Sequence, residues 1–303
     1  MIFKNLTQKI NRYAALATGD FEKIFKDFKV PSLPDIVTKI MTMIRDPEAS
    51  INEIAALLGY DPGLASQILQ MVNSAYLSLS RPVNSLNQAV NILGLKQIES
   101  LVVSYGITRI IKDPHKEGFD LAAFWTDSLF RALFARKLVP TEKKEEVFLA
   151  ALLQDIALPV LLTNWYDVYQ KAYLRRGQGK RRLNEVEKET LSWHHAQAGA
   201  WLAQKWRLSE TIICAVGLHI SPPQTFQNLP LKDEVFEIVA FSSSIPSVLE
   251  EEPSWEDWFS FTEAGLFAEK AALSALNSAR EQLLDTARGF GLKVREPIPP
   301  PHR

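Results

Sequence analysis

"SINEIAALLGYDPGLASQILQMVNSA", residues 50–75, decides the fold class. Ser50 and Glu53 have the spacing of a capping box, in which each side chain bonds the other's backbone N–H. The helix they open closes on Gly59, where a residue without Cβ is favoured. Asp61 then supplies an N-cap and Pro62 an N1 proline for "GLASQILQMVNSA". Two helices with a tight turn between them are therefore written into these residues.

The same grammar extends in both directions. Upstream, "PSLPDIVTKIMTMIRD" places Ile36, Val37, Ile40, Met43 and Ile44 on one helical face. Downstream, Ser85 and Gln88 have the spacing of a second capping box, before "LNQAVNILG", which stops at Gly94. "LKQIESLVVSYGITRII" continues as helix, and strand alternation is absent throughout. The polar stretch "KDPHKEGFD", residues 112–120, is the best internal boundary. Beyond it "LAAFWTDSLFRALFARKLV", "EEVFLAALLQDIALPVLL", "EVEKETLSWHHAQAGAWLAQKW" and "SETIICAVGLH" each predict a helix. A last long helix is expected over 261–289, before a disordered tail, "REPIPPPHR". The expected division is an N-terminal arm (1–19), a helical subdomain (20–115), a second helical subdomain (120–250), and a C-terminal helix with tail (251–303).

Bulk composition narrows the function classes. With 303 residues, 47% apolar and 23% charged, the chain has the composition of an ordinary globular protein. A formal net charge of −1 predicts no broad field for nucleic acid or acidic lipid. The single cysteine, Cys214, excludes an intramolecular disulfide and a cysteine-rich zinc site and fits a reducing compartment. The N-terminal residues have scattered charges and do not read as a signal peptide. The longest apolar run, "FLAALLQDIALPVLL" at 148–162, is too short for a span and is interrupted by Asp155 and Pro159. A cytoplasmic location and no membrane partner are expected. "RRGQGKRR", residues 175–182, is the one dense basic cluster; no groove-reading element accompanies it, so it reads as a solvated, mobile loop. Trp125, Trp193, Trp201 and Trp206 read as core.

Three motifs occur in order: "VPSLP" at 30–34, "DPGLASQILQMVNSA" at 61–75 and "VNSLNQAVNILG" at 83–94. With "HHAQAGAWLAQKWRLSETIICAVGLH" at 194–219, they resemble the HDOD family, output-type relatives of the HD metal-dependent phosphohydrolases. The resemblance spans about residues 20–245. It implies an all-α fold, an N-terminal bundle packed against an HD-like bundle, and a bacterial signalling role. Within the motifs, Asp61, Pro62, Asn73, Ser74 and Gly94 read as structural: a cap, a helix start, a helix end and a left-handed C′ glycine.

The resemblance also implies where a metal site would fall. HD phosphohydrolases place a His on one helix, a His-Asp pair on the next and an Asp later. The corresponding positions are Asp127, Gln154-Asp155, and Ser242 or Ser243. An amide or hydroxyl is a poor ligand for a transition metal. No metal and no cofactor are therefore expected, and Asp127 and Asp155 are the carboxylates that would carry a residual divalent ion. If 148–162 is one helix, Gln154 and Asp155 both point into packed surroundings, where polar groups must be hydrogen-bonded. Asp127, Gln154 and Asp155 are expected to converge on a vestigial polar site, with His195 and His219 as partners. His194 and His195 point about 100° apart on a helix and cannot readily share one ion; His195 matches the family position. His115 and His302 fall in loop and tail. The functional expectation is a non-catalytic signalling or scaffold module acting through an unidentified protein partner. The alternative is a metal-dependent phosphohydrolase acting on nucleotides or cyclic dinucleotides. A nucleic-acid-binding regulator is disfavoured by the charge, and the oligomeric state is left open.

Overall fold

A computed structural model describes residues 24, 28, 30–74, 81–176, 181–227, 233–250 and 252–301. The N-terminal arm, the centre of the basic loop and His302 lie outside these residues. The described residues contain helices and no strand. They fall into two compact units, each discontinuous in sequence: residues 1–30, 112–279 and 295–303 form one, residues 31–111 and 280–294 the other.

In the unit built on residues 31–111, the helices are α1 (Asp35–Ile44), α2 (Ile51–Gly59), α3 (Pro62–Val72), α4 (Leu86–Leu93) and α5 (Leu95–Ile110). The caps act as the sequence dictates. Ser50 Oγ accepts from the Glu53 amide at 3.2 Å, and the Glu53 carboxylate accepts from the Ser50 amide at 2.8 Å. Asp61 accepts from the Leu64 amide at 2.9 Å. Ser85 caps α4 through the Gln88 amide, but Gln88 returns its bond to the Asn84 amide, so the expected second box is only half formed. Asn73 ends α3 and ties it to the following chain, donating to the Leu69 and Val83 carbonyls and accepting from the Val83 amide. Ser74 donates to the Met71 carbonyl at 2.8 Å. Gly94 has φ 74° as expected, but its ψ of 166° is not left-handed helical. It adopts an extended positive-φ conformation essentially reserved for glycine, and this sets the corner between α4 and α5. Val37, Ile40, Ile54, Leu58, Ile68 and Ile98 are fully buried in this unit.

The other unit contains α6 (Leu121–Lys137), a 3₁₀ turn (Thr141–Lys143), α7 (Lys144–Leu153), α8 (Ala157–Asn164), α9 (Tyr166–Arg175) and α10 (Leu183–Leu191). These are followed by α11 (His195–Lys205), α12 (Glu210–Leu218), α13 (Pro223–Gln227), α14 (Glu234–Ser243) and α15 (Glu256–Glu263). Helices α6 and α7 form an antiparallel pair, and both pack on α14; α12 packs on α7, α11 and α14. α7 is buried from Val147 to Leu153 and most of α6 is buried, which is why their sequences show an apolar run rather than a stripe. Trp125, Trp193, Trp201 and Trp206 are buried, as expected. The helical stretch Thr141–Asn164 is long and apolar enough to cross a membrane, but 78% of its most apolar window is buried inside the protein.

Three helices expected to be continuous are broken. Residues 148–162 divide between α7 and α8, with Gln154, Asp155 and Ile156 in a turn. Pro159 falls in the first turn of α8, where its missing N–H is not needed. The stretch 185–205 divides at Ser192, which is left-handed at φ 65°. Residues 261–289 belong to α15 and to α16 (Glu269–Gly289), separated by Gly265 at φ 74°. The tail also departs from the disorder expected of it: the Arg295 amide donates to Thr126 Oγ1 at 2.7 Å, and its guanidinium pairs with Asp120 at 2.6 Å.

Candidate functional site

The helix ends produced by these breaks meet at one place. Asp155 lies in the turn between α7 and α8, His195 is the first residue of α11, and His219 caps the C-terminus of α12. Both imidazole Nε2 atoms lie 3.3 Å from Asp155 Oδ1. Its other oxygen, Oδ2, accepts from Arg131 Nη1 at 2.8 Å. Arg131 rises from the middle of α6 and also donates to the Ile245 carbonyl at 2.7 Å.

Each ring is held from behind. His195 Nδ1 lies 2.7 Å from Glu187 Oε2, and the same oxygen accepts from the His195 amide at 3.0 Å. Glu187 is fully buried, and its second oxygen accepts from Tyr169. His219 Nδ1 lies 2.7 Å from the Val216 carbonyl.

Charge follows geometry. Burial opposes ionisation of Asp155, but His195, His219 and Arg131 outweigh it and hold the carboxyl well below its ordinary 3.8. Burial likewise opposes a charged His195, yet Glu187 and Asp155 raise that imidazole to about 10. His194 behaves oppositely, because burial and the neighbouring rings push it down to about 3. Its role is structural. Its ring accepts from the Gln197 amide at 3.3 Å while Gln197 accepts from the His194 amide at 3.2 Å, an N-terminal capping box for α11.

Asp127, Asp155, His195 and His219 all line one cavity of about 310 Å³, together with Arg131, Arg176 and Arg182. The expected convergence therefore holds for four of the five residues. Gln154 is the correction: it is fully buried, does not line the cavity, and no described protein group bonds its amide. The turn at 154–156 replaces the helix on which the two side chains would have shared a face. Asp127 reaches the cavity but is already engaged, accepting from Ser247 Oγ at 2.5 Å and from the Val248 amide at 3.0 Å. Of the two serines at the position of the later carboxylate, Ser242 donates to the Val239 carbonyl, and the single hydroxyl proton of Ser243 is directed at the His219 and Ala240 carbonyls. The His, His-Asp and Asp set of an HD phosphohydrolase thus does not fit these residues. Among the described residues, the His, Cys, Asp and Glu side chains close enough to share one ion are Asp155, His195 and His219.

Two features escaped sequence reasoning. Arg131 carried a faint signal, a lone cation on an apolar helix, four residues after Asp127. Glu187 carried none, being one of several charged residues in the predicted helix that begins "EVEKETL". The described ends of the basic loop are largely exposed and carry ion pairs and hydrogen bonds. Arg176 donates to the Gly118 carbonyl, Arg181 pairs with Glu189, and Arg182 pairs with Asp257.

An all-helical protein whose helix ends enclose a His/Asp/Arg cavity is the class that the fold and site define. The HDOD domain model matches residues 30–222. The chain belongs to the HDOD family. An uncharacterized protein of Treponema pallidum (strain Nichols) is 27% identical over 240 residues, covering 75% of this chain and 44% of that protein. The chain thus spans less than half the length of this relative. An HDOD domain protein of unknown function from Geobacter sulfurreducens is similar in structure, with TM-score 0.67 and 23% identity over 93% of this chain and all of that one. A candidate signal transduction protein from Marinobacter aquaeolei VT8 has TM-score 0.63 and 16% identity over 94% of this chain and 65% of that one. These likenesses establish the fold.

Proposed function

We propose that the chain is a bacterial signalling module that acts by protein–protein contact and uses the Asp155 cavity as a binding site rather than a reaction centre. The observation that carries this reading is the commitment of the ancestral ligand positions. Arg131 occupies the second oxygen of Asp155, Asp127 is held by Ser247 and Val248, and Ser243 spends its hydroxyl proton on backbone carbonyls. A carboxylate neutralised by arginine on one side cannot bridge two metal ions, which is the arrangement a binuclear hydrolase needs to activate water. Description of a structural neighbour as a candidate signal transduction protein agrees with the reading.

The test is turnover. Purified protein supplemented with manganese, zinc or magnesium is assayed against nucleotide and cyclic-dinucleotide panels. No turnover above buffer is expected. Robust hydrolysis that vanishes in Asp155→Ala would overturn the proposal in favour of the phosphohydrolase.

A further inference from the structure

The arginines around the cavity are spent on carboxylates with one exception. Arg131 meets Asp155 and Arg182 meets Asp257, while Asp120 on the same lining is matched by Arg295. Arg176 also lines the cavity, but no described carboxylate pairs with it. Its Nη2 donates to the Gly118 carbonyl and to the Tyr173 hydroxyl, both at 3.1 Å. Its guanidinium carbon lies 4.3 Å from the centre of the Tyr173 ring. Tyr173 is itself fixed, donating to the Gly118 carbonyl at 2.7 Å. Stacking and these bonds hold the guanidinium in place, while its Nε and Nη1 donors bond no described group.

The rest of the lining indicates what accompanies an anion there. Phe119 and Phe124 form an apolar wall, their ring centres 5.9 Å apart. Ser128 is only 1% exposed and lines the cavity, yet its hydroxyl bonds no described group. A buried polar group left in that state calls for a partner that the protein itself does not supply. The volume of about 310 Å³ is at the small end of the range for small-molecule sites. One unpaired cation matches one negative charge. A phosphate dianion would set a second charge against the Asp127, Asp155 and Asp257 carboxyls of the same lining, so a carboxylate is favoured.

We propose that the cavity binds a small organic monocarboxylate with an apolar body. The carboxylate sits on the guanidinium of Arg176, the body lies against Phe119 and Phe124, and the Ser128 hydroxyl is the polar contact deeper inside. A charge-assisted bond orients the molecule, and removal of its apolar part from water adds affinity. None of these residues stands at a position that the HD resemblance implies for metal. The inference rests on the reading of the cavity as a binding site and names the class of molecule it takes.

The full chain is titrated calorimetrically with phenylacetate and with hexanoate, and thermal unfolding is followed in parallel. Phenylacetamide and phenyl phosphate are the neutral and dianionic comparisons. Expected are saturable binding of a carboxylate and a raised unfolding temperature, with the amide and the phosphate about tenfold weaker or more. Arg176→Gln should weaken carboxylate binding about tenfold or more, and Ser128→Ala should cause a smaller loss. Lys39→Gln, exposed on α1, should change nothing. No saturable binding of either carboxylate, tighter binding of phenyl phosphate, or undiminished binding by Arg176→Gln would overturn the proposal. If Arg176→Gln loses helix content, arginine Nε–H spectra of the wild-type chain decide. Phenylacetate must move the Arg176 resonance and leave that of Arg45, held by Glu99, in place; an unmoved Arg176 resonance overturns the site. Failure of the carboxylate titration leaves a result of no turnover intact, whereas turnover would sink the signalling reading whatever the titration shows.

Discussion

Asp127 and Asp155 line the same cavity, yet their carboxyls are driven in opposite directions. Asp155 faces two imidazoles and a guanidinium and stays ionised. Asp127 is raised from 3.8 to about 6 by burial, which outweighs Arg131, Ser247 and the Val248 amide, with the Asp155 charge adding to the rise. A carboxyl with a higher pKa folded than unfolded binds its proton more tightly in the folded state. Its contribution to stability is therefore full below pH 3.8 and is lost as pH rises through about 6. Asp127→Asn cannot titrate, and Asn can still accept from Val248. His194, lowered to about 3, adds an opposite trend over the same range, so the quantity to follow is the difference: in urea unfolding the stability of wild type relative to Asp127→Asn should fall between pH 4 and pH 7, and parallel pH profiles would contradict the assignment. At this scale Asp155, His195 and His219 were legible through the resemblance to the HDOD family. Gln154 was misplaced because its direction depends on a turn that the surrounding apolar run conceals.

Element by element, the caps were the most legible feature, since Ser50, Glu53, Asp61 and Pro62 act within three or four residues of chain. The breaks at 154–156, at Ser192 and at Gly265 were not: the first lies within an apolar run, Ser192 takes a positive φ that its residue type does not announce, and Gly265, at φ 74°, falls in a stretch that reads as one helix. The α11–α12 contact shows how tight the helix packing is. A Cβ built on Gly199 would lie 2.9 Å from Val216 Cγ1, closer than side-chain contacts allow. Gly199→Ala should therefore destabilise by about 1–3 kcal/mol despite alanine's better helix propensity. Adding Val216→Ala should recover part of that loss in a double-mutant cycle followed by urea unfolding. Strictly additive costs would mean that the close approach is not the constraint. Because α11 carries His195 and α12 ends at His219, the same approach also sets the distance between the two rings.

For the molecule as a whole, the composition and the charge of −1 describe a protein with no general attraction for polyanions, and its one thiol reports on its integrity. Cys214 is buried on α12 and its thiol is pushed up to about 12 by burial, with Glu210 and Asp233 adding to the rise. The native chain should be silent to aromatic disulfide reagents at pH 8 and should release one equivalent on unfolding in urea. Fast native reaction would show that α12 opens on its own. What the sequence alone determined is the helical class, the positions of most helices, the family and most of the cavity's acids and imidazoles, because caps, periodicity and motifs are local. Tertiary structure decided where the apolar helices break, that Gln154 turns away while Arg131 and Glu187 close on Asp155 and His195, and that residues 280–294 join the unit of residues 31–111. Those outcomes depend on contacts between residues dozens to hundreds of positions apart, and their physical cause is the need to pair each buried charge with whatever partner the packed helices bring within reach.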